Sequence, residues 1–369
     1  METKLGFGCM RLPMNGDEVN YDEFNKMIDY YMEQGFTYFD TAHGYINGKS
    51  ELAIRDCLAA RYPRDSYVLT NKLTKPYFAS TEEIRPFFME QLKLCGVEYF
   101  DYYLMHAQDR NTYQHFQKTD AYHECLKLKE EGLIKHLGIS FHDTAEMLEE
   151  ILTDHPEVEI VQIQFNYCDY LSSSVQSKKV YDVCRKFNKP VLVMEPVKGG
   201  GLVNLPPEAK KLFDDLNQPL SYASYAIRFA ASFDGIFKVL SGMSSLEQLK
   251  DNVDYMKEFK PLDEKETEAC LKAGDILRNL GGIPCTACRY CTEGCPMKIS
   301  IPDLFSCYNS KIQFNDWNAN FYYRVHTQEG KGKASDCIKC GMCESVCPQH
   351  LEIRSLLEKV SETFEGKEE

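Results

Sequence analysis

The sequence lacks long hydrophobic runs and carries little positive charge for its length. None of its 369 residues falls in an apolar stretch of about 18 or more, so no membrane-spanning helix is expected. Lys and Arg total 42 against 56 Asp and Glu, and the net charge of −14 disfavours nucleic acid and anionic lipid as partners. The first ten residues contain no basic segment followed by an apolar one, so no secretory signal is expected. These absences predict a cytoplasmic protein that binds neither nucleic acid nor a membrane.

Cysteine, in contrast, is abundant and unevenly distributed. The chain has 16 cysteines, and a reducing compartment argues against pairing them as disulfides. Seven are scattered as expected for core or surface thiols: Cys9, Cys57, Cys95, Cys125, Cys168, Cys184 and Cys270. The other nine lie between residues 285 and 347, which indicates metal ligands.

Strand and helix patterns alternate over residues 1–260. A first helix is predicted to begin at Asn20, with Glu23 completing its capping box. Seven strands are predicted, at 36–39, 67–69, 102–105, 134–139, 158–163, 191–194 and 236–240, and an eighth at 256–259. Such alternation predicts parallel β/α architecture, and eight strands favour a closed TIM (β/α)8 barrel. An open doubly wound sheet is the alternative, which the absence of Gly-x-Gly-x-x-Gly after an early strand disfavours.

A domain boundary is predicted at Gly281-Gly282-Ile283-Pro284, where the helical pattern breaks. Residues 1–280 would form the α/β barrel, and residues 281–369 a small, mostly α-helical domain. Helices are predicted there at 303–308 and 321–325.

Two cysteine runs in this second part share the spacing C-x2-C-x2-C-x3-C-P, which is that of bacterial ferredoxins. In such runs the fourth cysteine binds the other cluster, so the runs predict two [4Fe–4S] clusters with crossed ligands. The first cluster would be held by Cys285, Cys288, Cys291 and Cys347, and the second by Cys295, Cys337, Cys340 and Cys343. A zinc site is the alternative for paired CxxC motifs. Cys307 lies outside both runs and is interpreted as an ordinary thiol.

Four polar residues follow three successive predicted strands: Asp40 and Tyr45 after the first, Lys72 after the second and His106 after the third. This end of the strands carries the active site in TIM-barrel enzymes. The set suits proton transfer coupled to hydride transfer, because a lysine ammonium favours the tyrosine phenolate and lowers its pKa. Asp40 would fix the lysine, and His106 would orient a carbonyl oxygen. Each residue alone is equally compatible with a structural ion pair or a core histidine.

Asp-Thr-Ala-x-x-Tyr at residues 40–45, with the later lysine and histidine, resembles the tetrad of the aldo-keto reductase family. The resemblance covers roughly residues 5–262, and barrels of this family fused to a ferredoxin-like domain resemble the whole chain. It implies that Ser140 and Gln162 hold the nicotinamide carboxamide of NAD(H) or NADP(H) and that Met194 lies against the ring. It further implies an adenine-ribose-phosphate region that includes Gly242, Ser244, Ser245 and Asn252.

Three departures from the family pattern affect these expectations. Phe141 stands where the family usually has Asn, which removes one expected amide contact. Gly242 and Gln248 stand where NADP-preferring members carry Lys or Arg, so NADH or dual use is expected unless Lys250 or Lys198 supplies the cation. The family's C-terminal substrate loop is missing, and the cluster domain is expected to replace it as a wall of the pocket.

Three functions follow as hypotheses. In the first, the barrel interconverts a small-molecule carbonyl and an alcohol, and the clusters exchange electrons with ferredoxin or another redox partner. Hydride carries two electrons and a cluster accepts one, so direct coupling usually requires a converter such as a flavin, for which the sequence gives no evidence. In the second, an ordinary reductase has structural clusters. In the third, the barrel is non-catalytic and the protein is an electron carrier or redox sensor, which the complete tetrad disfavours.

Overall fold

The first part of the chain is a closed barrel of eight parallel strands, as predicted. The computed structural model describes residues 3–285 and 287–366. The strands are β1 Leu5–Gly8, β2 Met14–Asn15, β3 Glu18–Val19, β4 Tyr38–Asp40, β5 Val68–Leu73, β6 Phe100–Gln108, β7 Ile134–Phe141, β8 Ile160–Gln164, β9 Val191–Met194 and β10 Ile236–Ser241. The barrel order is β1-β10-β9-β8-β7-β6-β5-β4, and β2 and β3 form a separate antiparallel pair.

The eighth barrel strand is β1, so the prediction of a strand at 256–259 is wrong. Met256 lies in a helix, where it is buried together with Leu249 and Val253 at helical spacing. The true strand is short and contains two glycines, which conceal its alternating pattern. Gly6 lets the side chain of Leu240 pack closely, because a Cβ atom at this position would lie 2.7 Å from Cδ2 of Leu240.

Eleven helices surround the barrel or connect its strands in the described part of the chain. They are α1 Tyr21–Glu33, α2 Lys49–Ile54, α3 Thr81–Cys95, α4 Arg110–Lys118, α5 Ala121–Glu130, α6 Ala145–Asp154, α7 Ser177–Lys186, α8 Pro207–Asp214, α9 Tyr222–Ala231, α10 Leu246–Lys257 and α11 Glu264–Asn279. Asn20 caps α1 as predicted, since its side chain accepts a hydrogen bond from the backbone N–H of Glu23.

The second part of the chain is helical and has a hydrophobic core of its own. Its helices are α12 Tyr290–Glu293, α13 Ile301–Phe314, α14 Asn318–Val325, α15 Met342–Ser345 and α16 Ile353–Phe364. Leu304, Phe305 and Leu357 form the centre of this core. The two helices predicted from sequence are present but longer than predicted, because α13 begins at Ile301 and continues to Phe314. No helix among residues 3–285 and 287–366 is long and apolar enough to cross a membrane.

A buried ion triad joins the two parts. Nζ of Lys198, in the loop after β9, lies 2.9 Å from Oδ1 of Asp169 and 2.9 Å from Oδ2 of Asp316, which lies between α13 and α14. Val175 of the barrel also packs into the core of the second part. The helical part is therefore fixed on the barrel over the loops that follow β8 and β9.

Candidate active site and cluster sites

Lys72 lies at the centre of a buried polar group at the C-terminal ends of β4 and β5. Its Nζ atom donates to Oδ1 of Asp40 at 2.7 Å, to the carbonyl oxygen of Thr41 at 2.8 Å and to the hydroxyl of Tyr45 at 3.2 Å. Lys72 is completely buried and Asp40 is 3% exposed. The structure therefore brings together three of the four residues singled out on the strand ends.

The pKa of Tyr45 differs from the sequence-based expectation. Burial raises the pKa of this hydroxyl above 10, and the charge of Lys72, which acts in the expected lowering direction, only partly offsets it. Burial also acts to lower the pKa of Lys72, but Asp40 and Tyr45 outweigh it and leave that pKa raised. Tyr45 is consequently a protonated hydroxyl beside an ammonium group at neutral pH.

His106 lies beside Tyr45. Its ring centroid is 6.1 Å from that of Tyr45, and its Nδ1 atom lies 2.8 Å from Oγ1 of Thr74. Burial, assisted by the charge of Lys72, holds the pKa of His106 well below 6.5. The imidazole is therefore neutral, and the contact with Thr74 fixes its orientation.

A second buried network, which sequence reasoning missed, supports the backbone of Lys72. The side chain of Gln91 donates to the carbonyl oxygen of Lys72 at 3.1 Å, and that of Asn71 donates to Oε1 of Glu51 at 2.8 Å. The other oxygen of Glu51 lies 2.7 Å from Nδ1 of His43. These side chains lie on α2, α3 and β5. Because they are far apart in the sequence, their contacts could not be predicted from it.

The cavity beside Tyr45 has a volume of about 240 Å3, and both parts of the chain line it. The barrel contributes Asp40, Tyr45, His106, Ser140, His142, Gln162 and Met194 among others. The helical part contributes Trp317, Asn318 and Phe321. The cluster domain thus forms a wall of the pocket, as expected, although no sequence pattern indicated these three residues.

The residues expected to contact the nicotinamide carboxamide have polar contacts within the protein. Nε2 of Gln162 donates to Oδ2 of Asp40 at 3.4 Å, and Oγ of Ser140 accepts from the backbone N–H of Ala107 at 3.4 Å. Both contacts are long, so both side chains can turn to a ligand. Phe141 is buried in the hydrophobic core.

A groove of about 900 Å3 adjoins this cavity, because Arg11, Glu195, Leu240 and Gly242 line both. Ser244, Ser245 and Asn252 also line the groove. Ser245 caps α10, as predicted, through a hydrogen bond from the backbone N–H of Gln248. The amide of Asn252 is already engaged, since it donates to Oγ of Ser241 at 2.7 Å and accepts from Tyr255 at 2.6 Å.

Negative charge predominates in the groove. Arg11 faces four carboxylates, those of Glu195, Asp214, Glu247 and Asp251. Lys198 is held in the ion triad with Asp169 and Asp316. Lys250 does not line the groove, and its Nζ atom lies 5.6 Å from the ring centroid of Tyr30. Lys198 and Lys250 therefore do not lie where either could bind a phosphate group in the groove.

The eight run cysteines surround two small, apolar cavities in the crossed grouping predicted. One is lined by Cys285, Cys288, Cys291 and Cys347, together with Ile301, Phe305 and Leu351. The other is lined by Cys295, Cys337, Cys340 and Cys343, together with Ile299, Ile338 and Leu357. Four thiols around an apolar space suit a cluster whose only protein bonds are to sulfur.

The two runs also share one backbone conformation. Positive φ angles occur two residues after the first cysteine of each run, at Ala287 (54°) and Lys339 (58°). They recur two residues later, at Arg289 (68°) and Gly341 (79°). Such turns direct consecutive N–H groups to one side, where they favour a negatively charged group. The backbone therefore fits an anionic iron–sulfur cluster at each position.

The fold and these sites define an oxidoreductase barrel with an iron–sulfur domain. The family model of the aldo/keto reductase family matches residues 4–275, and that of a 4Fe-4S dicluster domain matches residues 284–352. The chain belongs to the aldo/keto reductase family, as a fusion with a 4Fe-4S domain.

Similar proteins match part of the chain. The uncharacterized oxidoreductase YqkF of Bacillus subtilis is 24% identical over 293 residues, which are 72% of this chain and 91% of that protein. A probable aldo-keto reductase 1 of Glycine max is 27% identical over 207 residues, which are 54% of this chain and only 57% of that protein.

Solved structures show the same fold. Aldo-keto reductase AKR11C1 of Bacillus halodurans superposes with a TM-score of 0.60 at 24% identity, over 73% of this chain and 91% of that one. An aldo-keto reductase of Klebsiella pneumoniae in complex with NADPH superposes with a TM-score of 0.59 at 18% identity, over 74% and 95%.

Proposed function

We propose that the barrel interconverts a small-molecule carbonyl and its alcohol with a nicotinamide cofactor, and that Tyr45 transfers the proton. The observation that carries this proposal is the contact of Lys72 with both Asp40 and Tyr45 at the wall of the cavity. When bound, the nicotinamide supplies the hydride. The Klebsiella relative, which binds NADPH, supports this class of cofactor.

The role of Tyr45 follows from its protonated state. Its hydroxyl donates the proton to the carbonyl oxygen in the reductive direction, and the adjacent ammonium of Lys72 stabilises the phenolate that remains. Asp40 keeps the ammonium in place. Neutral His106, held by Thr74, hydrogen-bonds to the same carbonyl oxygen and orients it.

The nicotinamide carboxamide would contact Ser140 and Gln162, and Met194 would lie against the ring. The rest of the cofactor would occupy the groove along Gly242, Ser244, Ser245 and Asn252, where the N-terminus of α10 favours a phosphate. We propose NADH, or dual use, because four carboxylates and one arginine line the groove that would hold the ribose and phosphates. Tighter binding of NADPH than of NADH in a titration would contradict this preference.

We further propose that the two cysteine groups hold two [4Fe–4S] clusters, which supply one-electron transfer, and that a ferredoxin or similar partner exchanges electrons with them. We place the domain boundary after residue 280, since α11 ends at Asn279 and two glycines follow. We also propose a cytoplasmic location, because a reducing compartment keeps the run cysteines available as cluster ligands. We assign no residues to a flavin-binding site.

A structural role for the clusters is the second candidate. Cys291 and Cys343 belong to the hydrophobic core of the helical domain, and that domain forms a wall of the active-site cavity. Loss of the clusters would then disorder this wall without affecting electron flow. An electron carrier or redox sensor on a non-catalytic barrel is the third, and it predicts that Tyr45 is dispensable.

Tyr45→Phe tests the central proton transfer. We expect the rate of NADH oxidation with a panel of aldehydes and ketones to fall by about 10²- to 10⁴-fold, because the donor proton is lost while the ring remains. The matched control is Tyr181→Phe, which removes a hydroxyl bonded to the carbonyl of Asp234 on the outside of the barrel. Equal activity of the two variants would support a non-catalytic barrel.

A further inference from the structure

Asn318 is a buried amide without a hydrogen-bond partner for its side chain in the described part of the chain. The residue is 1% exposed, and neither Oδ1 nor Nδ2 has a partner there. Its backbone N–H donates to Oδ1 of Asp316, and Asp316 is ion-paired with Lys198, so the position of Asn318 is fixed. A buried amide that loses its hydrogen bonds to water without replacement is destabilising and calls for an explanation.

The surroundings of Asn318 connect it to the active site. It is the first residue of α14 and lines the cavity that also contains Tyr45 and His106. Nδ1 of His142, another lining residue, is likewise buried and without a partner among the described residues. Burial lowers the pKa of His142 to about 4, so this ring is neutral. Two unpartnered neutral groups, one from each domain, thus line one cavity.

The charges of the cavity are already paired. Asp40 is bonded to Lys72, and Arg11 lies 3.5 Å from Glu195. A carboxylate, phosphate or ammonium group on a ligand would find no free counter-charge among these lining side chains. An amide offers two donors and one acceptor, so its natural partner is a neutral group that both donates and accepts.

We infer that Asn318, assisted by His142, recognises a neutral carboxamide or hydroxyl group of the ligand that binds beside Tyr45. This inference rests on the proposed function. The group has two possible sources: the carboxamide of the nicotinamide, or a hydroxyl or amide substituent of the carbonyl substrate. In either case the iron–sulfur domain supplies a recognition residue to the barrel, and the substrate is an uncharged carbonyl compound.

Asn318→Leu separates this role from a structural one, because it replaces an unpaired amide by an apolar group of similar size. Replacing a residue with a structural role would lower the melting temperature of the protein. Asn318→Leu should instead leave the melting temperature unchanged or raise it, and the iron content should stay the same. Asn320→Leu, on the exposed side of the same helix, is the matched control. Asn318→Asp provides a second variant that keeps the shape, removes both donors and should impair binding in the same way.

Two measurements distinguish the sources. Weakening of NADH binding by about tenfold or more, measured without substrate, identifies the nicotinamide carboxamide. Unchanged NADH binding with a similar loss of kcat/KM, for hydroxyl-bearing carbonyls but not for their apolar analogues, identifies the substrate. If the wild type is active and the Asn318 variants change neither NADH binding nor kcat/KM, this inference is wrong and the proposed function still stands. A wild type that neither binds NADH nor reduces any carbonyl overturns the proposed function and this inference with it.

Discussion

Lys72 illustrates how a single residue connects stability and chemistry in this protein. Its ammonium group is fully buried, and its three hydrogen-bond acceptors are a carboxylate, a carbonyl and a phenol oxygen. Burying a charge is unfavourable unless it is paired, so folding requires Asp40 and Lys72 together. In the proposed reaction, the same pairing leaves the proton of Tyr45 as the one that a substrate takes.

Lys72→Met is therefore expected to do more than reduce activity. It leaves the carboxylate of Asp40 buried without its cation, which should destabilise the barrel by about 3–5 kcal/mol. Adding Asp40→Asn removes that charge, so the double variant should melt at a higher temperature than the single variant while remaining inactive. A double variant that is no more stable than Lys72→Met would show that the pair is not coupled.

The pKa values of His106 and Tyr45 predict an unusual pH profile for reduction. A group with a raised pKa stays protonated to higher pH, and proton donation is lost only as pH rises through that pKa. Since burial raises the pKa of Tyr45 and lowers that of His106, kcat/KM should be flat between about pH 6 and pH 9 and should fall only above about pH 10. An inflection near pH 6.5 that disappears in His106→Gln would contradict a neutral His106.

At the scale of elements, the repeated pattern of strands and helices could be predicted from the sequence, whereas features outside that pattern could not. Seven strands were recognisable because their apolar residues are flanked by helical patterns, and the polar residues after them converge because parallel strands end at one edge. The strand β1 was missed because two of its four residues are glycine. Asn318 and His142 could not have been assigned, because only tertiary packing brings α14 to the end of β7.

The crossed pairing of the cysteine runs can be tested element by element. Cys295 and Cys337 lie in different runs but line the same cavity. Cys295→Ala and Cys337→Ala should therefore each remove the same cluster and about half of the iron. The double variant should lose no more iron than either single variant. Cys295→Ala combined with Cys347→Ala should instead lose nearly all of it, as measured by iron analysis after anaerobic purification. Loss of all iron in the first double variant would indicate that each run binds its own cluster.

At the scale of the whole molecule, the helices α13 and α14 connect the first cysteine group with the proposed active site. Phe305 of α13 lines the cavity of the first cysteine group, and Phe321 of α14 lines the cavity beside Tyr45. Between them Asp316 is bound to Lys198 of the barrel. Cys285 also lines a separate cavity of about 320 Å3, which Lys198 and Arg278 of the barrel line as well. The first cluster position therefore lies on the side of the helical domain that faces the barrel.

The most direct test is anaerobic visible spectroscopy of the full-length protein while NADH and then a carbonyl compound are added. We expect NADH to bleach the cluster absorbance and the carbonyl compound then to cause further consumption of NADH. Consumption of NADH without any bleaching would contradict electron exchange and assign the clusters a structural role. An unchanged spectrum with no NADH consumed by any carbonyl compound would contradict the proposed oxidoreductase itself.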